Sequence, residues 1–176
     1  EGGLPRLSTL TWTSARPLEN VLSFEFSGEA CGAYCEGFSI HYNYDLRTGE
    51  RLQFDSLFTQ VGALEVREWI GKRWAMAMEV EIVHLQDSLR TWVMAADEQE
   101  AIEASLSLYN DCLVERTRQL PYIEDLELLR TGLRVSVARC STHVDREADA
   151  MGSVAVELRY ADIARYMRRE ALALIR

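Results

Sequence analysis

The chain has 176 residues, of which 48% are apolar, and this is enough for one domain with a sizeable core. Its formal charge of −9 repels phosphate backbones, so the composition argues against nucleic-acid binding and favours encounter with a basic partner. No apolar run approaches the roughly 18 residues that span a bilayer. The chain opens Glu1-Gly2-Gly3 with no signal peptide, so we expect any membrane anchor to lie outside this sequence.

Alternating apolar and polar residues predict three strands in the first part of the chain, at 6–14, 20–27 and 37–45. Pro17 favours a turn between the first two strands. The second and third strands flank a glycine-containing loop at 28–36, which predicts an antiparallel hairpin. The alternation predicts that apolar side chains face the core and polar ones face water. In the third strand the two sets are Phe38, Ile40, Tyr42 and Tyr44, and Ser39, His41, Asn43 and Asp45.

A turn and a short helical segment follow the hairpin. Gly49 is free to adopt a positive φ in the turn at 45–51. Asp55 can cap one helical turn, and Leu57 and Phe58 can anchor that turn in the core.

The hydrophobic period changes from that of a strand to that of a helix at Val61, and no proline interrupts 61–93. A helix this long is unusual in a domain, so we expect a bend or a break within 80–92. Asp97 and Glu100 form a capping-box pattern for a second helix, which Leu120-Pro121 would end. The apolar stripes are Leu64, Ile70, Trp74, Met78, Ile82, Leu85 and Leu89 in the first helix, and Ile102, Leu106, Tyr109 and Leu113 in the second.

Strands return near the end of the chain. Residues 126–137 predict a hairpin around a turn at 130–132, and residues 154–158 predict a last strand after a polar loop at 140–152. Residues 161–175 predict a closing helix with one apolar face, made of Ile163, Met167, Ala171 and Leu174. The prediction is an α+β fold in one domain, residues 1–176, with an antiparallel sheet of N-terminal and C-terminal strands packed against a central helix pair and a C-terminal helix.

The four cysteines, Cys31, Cys35, Cys112 and Cys140, allow three complete pairings, and their spacing does not choose among them. Four buried free thiols in a cytosolic protein are the alternative. Cys31, Cys35 and His41 invite a zinc interpretation, but they lack the second ligand pair of a structural site. We therefore expect no metal and no cofactor.

Catalytic motifs are absent from the sequence. A nucleophile and base can be sketched from Cys140, His143 and Asp145, but no oxyanion-hole glycine motif stands beside them. We predict no catalytic residues. Two alternatives stay open: a hydrolase with a cleft around His41 or His143, and a structural or assembly domain of an envelope lipoprotein.

Three stretches carry a family resemblance that covers residues 20–170, with residues 1–19 as an N-terminal extension. Residues 28–32 lie where the family has a Gly-Gly-Ala-His-Gly-like loop. Residues 42–58 resemble its Asn-Phe-Asp-Leu-Lys-Thr-Gly element and the Leu-Phe anchor that follows. Residues 132–137 and 154–160 resemble its closing strands. The family is the C-terminal domain of unknown function of lysozyme-sensing anti-sigma factors of the RsiV type and of some polysaccharide deacetylases.

The resemblance implies a location outside the cytoplasmic membrane, in the periplasm or cell envelope. It also implies recognition of a cell-wall glycan, or of a wall-directed basic protein such as lysozyme, instead of catalysis. Cys31 replaces the family's loop histidine and Cys35 is added, which suggests a disulfide and an oxidising compartment. A cytoplasmic location stays open as the alternative.

The predicted binding surface is the cysteine-bracketed loop and the polar face behind it. Tyr34 at the loop tip is the expected contact residue, together with Glu36, His41 and Asn43. A Cys31–Cys35 disulfide would brace this loop, and a Cys112–Cys140 disulfide would pin the second helix to the sheet.

Overall fold

A computed structural model describes residues 6–31, 35–116, 119–142 and 145–175. Its antiparallel sheets and helices confirm the α+β class. The chain divides into two compact units, of which the first contains Glu1–Ala63, Asp125–Val135 and Glu157–Arg176. The second contains Leu64–Glu124 and Ser136–Val156. The organisation as a single domain stays a prediction.

The first sheet has four strands in the order β1-β2-β3-β4: β1 (Arg6–Leu18), β2 (Val21–Cys31), β3 (Cys35–Asp45) and β4 (Arg51–Leu52). The predicted hairpin between β2 and β3 is confirmed, and its register runs from Val21 opposite Asp45 to Cys31 opposite Cys35. Both strands are longer than predicted, because pairing continues through residues that the sequence assigned to the loop. Only residues 32–34, outside the described residues, connect them.

The turn predicted at Pro17 is wrong, because β1 includes that residue and the chain turns at Glu19 and Asn20. Proline lacks the N–H that a central strand needs, and an edge strand tolerates this lack. β1 is the edge of its sheet, and its register shifts between Ala15 and Leu18, so the proline interrupts no regular ladder.

The predicted turn and core anchor after the hairpin are confirmed. Gly49 has a φ of 75°, and its N–H donates to the carbonyl oxygen of Asp45 at 2.7 Å. Helix α1 (Phe54–Leu57) follows, and Leu57 and Phe58 are buried. The predicted cap at Asp55 is wrong, because Asp55 lies inside the helix and the N–H of Gln53 donates to Ser56 Oγ at 2.9 Å instead.

Helix α2 (Gln60–Thr91) is continuous, so a break between residues 80 and 90 is wrong, and a bend there stays a prediction. Neither glycine nor proline occurs in α2 after Gly71, and nothing in the sequence breaks the backbone hydrogen-bond ladder there. Its buried stripe repeats every fourth residue: Val66, Ile70, Trp74, Met78 and Ile82. Leu64, placed in the stripe by prediction, is 49% exposed.

Helix α3 (Ala96–Arg116) begins earlier and ends earlier than predicted. Its first turn is closed by the Ala95 N–H, which donates to Glu98 Oε2 at 3.1 Å, and not by the predicted pair Asp97 and Glu100. Tyr109 is fully buried, as the predicted stripe requires. Cys112 lies three residues further along the helix and is also buried.

The second sheet has three strands in the order β5-β6-β7: β5 (Ile123–Leu128), β6 (Gly132–Val137) and β7 (Val154–Arg159). This confirms the predicted hairpin and last strand, but the strands form a sheet separate from the N-terminal one. Their core side chains are Leu126, Leu128, Leu133, Val135, Val137, Val156 and Leu158.

The single closing helix predicted at 161–175 is wrong. The segment forms α4 (Tyr160–Ile163), a 3₁₀ turn (Ala164–Tyr166) and α5 (Arg169–Leu172). Met167 forms an isolated antiparallel bridge with Phe58, and the Arg168 N–H donates to the Leu57 carbonyl oxygen at 3.0 Å. These backbone groups pair with a distant segment, so they cannot continue a helix.

Among the described helices, none has both the length and the apolar character that crossing a bilayer requires.

Candidate functional site

The hairpin of β2 and β3 is closed at its outer end by a disulfide. Cys31 and Cys35 are cross-strand partners, and their sulfur atoms are bonded. A second disulfide joins Cys112 of α3 to Cys140, which follows β6. Both predicted pairings are confirmed, and all four cysteines are paired. Two disulfides fit an oxidising compartment outside the cytoplasm.

One face of this sheet is lined by aromatic side chains, and we call it the aromatic face. The register places Trp12 of β1, Phe26 of β2 and Ile40 of β3 in one row, and Ser14, Phe24 and Tyr42 in the next. Trp12 is 61% exposed, and the other rings are half-buried. A shallow groove of about 500 Å³ is lined by Phe24, Phe26, Phe38, Ile40, Tyr42 and Tyr44.

Edge-to-face and tilted ring contacts hold these side chains in place without covering them. Phe26 and Tyr42 meet at a centroid distance of 5.6 Å and an interplanar angle of 90°. Phe24 contacts Tyr44 at 6.2 Å and Trp12 at 6.1 Å. Because such pairs restrict each other's rotamers, the aromatic face is already ordered before any ligand arrives.

Charged residues lie towards both ends of the aromatic face. The Arg51 guanidinium lies over the Tyr42 ring, 4.3 Å from its centroid. Strand alternation puts Glu36 on the same face as Phe38, near the disulfide end. The distance along β3 from Glu36 to Tyr44 is about 26 Å at the usual rise per residue. The face is therefore an elongated apolar platform with a carboxylate at one end and a guanidinium towards the other.

The opposite, polar face of the hairpin is held by β5. Asn43 is 1% exposed, accepts from Ser23 Oγ at 2.6 Å, and donates through Nδ2 to the Leu126 carbonyl oxygen at 2.7 Å. A buried amide with partners on both its oxygen and its nitrogen stabilises the fold and specifies the position of the strand.

His41 makes two contacts with Asp125 of β5. Its backbone N–H donates to Asp125 Oδ1 at 2.8 Å, and its Nδ1 lies 2.6 Å from Asp125 Oδ2. The hydrogen bond with Asp125 raises the pKa of His41, against the opposing effect of burial. The negative charges of Asp125, Glu127 and Glu25 act in the same direction.

Stability is expected to depend on the charge of His41. The folded-state pKa is raised above 6.5, so the stabilisation is fully present below about pH 6.5 and is lost as pH rises through the raised pKa. Urea denaturation between about pH 5 and pH 9 should show stability falling over that interval in the wild type and a flatter profile in His41→Gln. His84→Gln is the control, since the His84 side chain is 65% exposed. If the wild type and His41→Gln show the same dependence of stability on pH, His41 is not the group responsible for it.

At one end of the hairpin, burial of the polar face contradicts the sequence prediction, which put the aromatic side chains in the core and the polar ones in water. The polar residues Ser23, Asn43 and Asp45 are buried, whereas Trp12 and Ile40 are exposed. β5 contacts the polar face at His41 and Asn43, where the buried groups find hydrogen-bond partners, whereas Ser39 on the same face is exposed.

The structure separates the predicted binding residues. Glu36 lies on the aromatic face, whereas His41 and Asn43 lie on the other face, in contact with β5. Tyr34 and His143 lie outside the described residues. The binding role of these residues stays a prediction. Sequence reasoning missed Trp12 and Arg51. The available signal for Trp12 was the alternation of Leu10 and Trp12 with Thr11 and Thr13 in the predicted first strand.

The two disulfides bear directly on the metal and catalytic interpretations of the sequence. Glu29, not His41, lies with Cys31 and Cys35, with one potential ligand atom from each within 4.8 Å of the others. The two sulfur atoms are bonded to each other and are not thiolates, so this set is not a metal site in the oxidised protein. Cys140 is likewise disulfide-bonded and has no thiol for nucleophilic attack.

Two solved structures have a similar fold. A member of the DUF3298 family from Bacteroides fragilis matches with a TM-score of 0.55 and 13% identity, over 95% of this chain and 56% of that one. A DUF3298 family protein from Pseudomonas aeruginosa PAO1 matches with a TM-score of 0.51 and 13% identity, over 92% of this chain and 62% of that one. This chain therefore spans less than two thirds of either protein.

At this identity the similarity shows the fold alone. No protein-family profile and no curated protein matches the chain. The relation to the RsiV-type domain stays a prediction.

Proposed function

We propose that this chain is a non-catalytic binding module of the cell envelope whose aromatic face binds a cell-wall glycan. The observation that supports it is the row of exposed and half-exposed rings on the hairpin, with Trp12 at 61% exposure. Sugar rings present apolar C–H faces that stack on aromatic side chains, while their hydroxyl groups need polar partners at the margins. Arg51 and Glu36 supply a donor and an acceptor at such margins.

The ordering of the aromatic face favours recognition over simple burial. An open apolar surface of this kind marks an interaction site on a folded protein. Ring contacts and the Cys31–Cys35 disulfide fix the hairpin in advance, so a ligand pays less conformational entropy on binding. The two disulfides support an extracytoplasmic location, where wall glycans are found.

Titration with soluble peptidoglycan fragments tests the proposal. Trp12→Ala is expected to weaken binding roughly tenfold or more, because a large exposed aromatic ring is often a dominant contributor to binding. Trp92→Ala is the matched control, since Trp92 is 66% exposed and lies outside the aromatic face. Equal affinities for the wild type and Trp12→Ala, or no binding by the wild type, would overturn it.

A wall-directed basic protein such as lysozyme is the second candidate, favoured by the net charge of −9. Binding of this kind depends strongly on electrostatic attraction, so its affinity and association rate fall as salt rises. Binding to a neutral glycan should change little under the same conditions. Titration of both ligands at low and high salt therefore separates the two candidates.

A further inference from the structure

The outer edge of the first sheet is open. Among the described strands β1 is the edge strand, and residues 7–16 within it are all exposed. An edge strand presents a row of backbone N–H and C=O groups along its outer side, and these groups can pair with a further strand. The edge of β1 is therefore a possible docking surface, distinct from the aromatic face, which is a surface of side chains.

The regular part of this edge lacks the usual protection against pairing. Edge strands are commonly protected by charged side chains, by proline or by bulges. β1 pairs with β2 without a register shift from Thr9 to Ala15, and this stretch contains no charged residue and no proline. At the usual rise per residue, the stretch offers about 23 Å of regular edge to a further strand.

The two faces of β1 differ, and they favour different side chains on a paired strand. Leu10 and Trp12 lie on the aromatic face and are 50% and 61% exposed. Thr9, Thr11 and Thr13 alternate with them and form a short, polar row on the other face. Because cross-strand neighbours on one face of a sheet interact directly, apolar side chains are favoured opposite Leu10 and Trp12, and polar ones opposite the threonines.

Two carboxylates of β2 add a preference for positive charge on the polar face. Glu29 is the cross-strand partner of Thr9, and Glu25 is that of Thr13. Each accepts from a serine hydroxyl, at 2.7 and 2.8 Å, and among the described residues neither forms an ion pair with an arginine or a lysine. A strand added beyond β1 would lie about 10 Å from β2, a distance that an extended lysine and a glutamate span together. Lysine or arginine is therefore favoured opposite Thr9 and Thr13.

We propose that β1 binds an extended segment of a basic protein, which adds a strand to the first sheet. Side chains of that segment alternate as basic, apolar, polar, apolar and basic, opposite the residues from Thr9 to Thr13. The pattern reads the same in both directions, so it suits a parallel or an antiparallel strand. A second copy of this chain is disfavoured as the occupant, because both copies carry a net charge of −9 and residues 9–15 offer no cation.

Titration of ¹⁵N-labelled protein with a peptide, followed by NMR, tests the proposal. The peptide is Thr-Lys-Val-Thr-Val-Lys-Thr, acetylated and amidated at its ends. The amide signals of residues 9–15 should shift and saturate, with the largest shifts on every second residue, because outward-facing N–H groups alternate along a strand. The control peptide Thr-Lys-Val-Val-Thr-Lys-Thr keeps the composition and the lysine spacing but breaks the alternation, and it should bind roughly fivefold more weakly or worse.

Two further peptides test the backbone hydrogen bonds. One is N-methylated at both lysines and the central threonine, and the other at both valines. Alternate N–H groups of a paired segment point towards its partner strand, so one of these peptides should lose binding and the other should keep it. Equal binding of the two would overturn the proposal.

The carboxylates are tested by substitution. Glu25→Gln combined with Glu29→Gln should weaken peptide binding roughly three- to tenfold, as for two exposed ion pairs. Glu100→Gln is the control, because Glu100 is exposed on α3. A peptide with glutamine in place of both lysines tests the same contacts without altering the protein. Unchanged affinity in the double variant and for the glutamine peptide would overturn the proposed contacts.

The proposal does not require that the aromatic face binds a glycan. Affinity for peptidoglycan fragments should be the same in the wild type and in the Glu25→Gln, Glu29→Gln double variant, so the two proposals fail separately. Signals of residues 9–15 that do not move with the peptide would overturn the docking of a basic segment. Signals that shift as the free protein is concentrated would also overturn it, because a second copy would then occupy the edge.

Discussion

Asp149→Ala is expected to lower the free energy of unfolding by about 3–5 kcal/mol, the usual cost of breaking a buried, paired charge. Asp149 is 5% exposed. It accepts from the Ser141 N–H at 3.1 Å, the Gly152 N–H at 3.0 Å and the Tyr109 hydroxyl at 3.3 Å. Its Oδ2 also lies 3.6 Å from Arg139 Nε.

The effect is large because one carboxylate joins described residues near both ends of the segment between β6 and β7. Ser141 lies at one end of that loop and Gly152 at the other, and the Tyr109 hydroxyl also accepts from the Met151 N–H at 3.0 Å. Alanine removes the shared acceptor, so several donors in the loop lose their partner at the same time.

Urea denaturation followed by circular dichroism measures this change. Asp145→Ala is the matched control in the same loop, since Asp145 is exposed and accepts from the Thr142 hydroxyl at 2.7 Å. We expect that control to cost less than about 1 kcal/mol. Asp149→Asn keeps one acceptor oxygen and should fall between the two. Equal losses for Asp149→Ala and Asp145→Ala would contradict this role.

Local patterns were sufficient to predict most elements. Period-two alternation in 37–45 and 133–137 gave strands whose side chains share the predicted faces, because a strand's alternation is independent of its partners. The C-terminal segment shows the limit of this reasoning. Ile163, Met167, Ala171 and Leu174 are all buried as predicted, yet the backbone is not one helix. The same spacing of buried residues fits either one helix or several short turns. Only the backbone bridge between Met167 and Phe58 distinguishes the two conformations.

The candidate site was harder to predict than the fold, for a specific physical reason. Alternation divides a strand into two faces but does not say which face another element covers. Here β5 brings Asp125 to His41 and a carbonyl oxygen to Asn43, and those contacts bury the polar face around these two residues. β5 is far from the hairpin in sequence, so the openness of the aromatic face depends on a tertiary contact that no local pattern records.

Replacing Cys112 and Cys140 together by serine is expected to lower the free energy of unfolding by roughly 3.5 kcal/mol in the chain-entropy account. The sequence separation of this pair is 28, and the bond ties α3 to the residues that follow β6. Removing it lets the unfolded chain explore conformations that the closed loop forbids.

The Cys31 and Cys35 pair provides the comparison within the same protein, because its separation is only 4. The same account gives roughly 2 kcal/mol for the serine double variant, since loop entropy grows with the logarithm of loop length. Urea denaturation of both double variants and of the wild type measures the order. If loss of the hairpin disulfide costs as much as loss of the longer one, closure entropy does not set the contribution of either bond. The hairpin disulfide would then act on the folded state, by holding the ends of β2 and β3 in register.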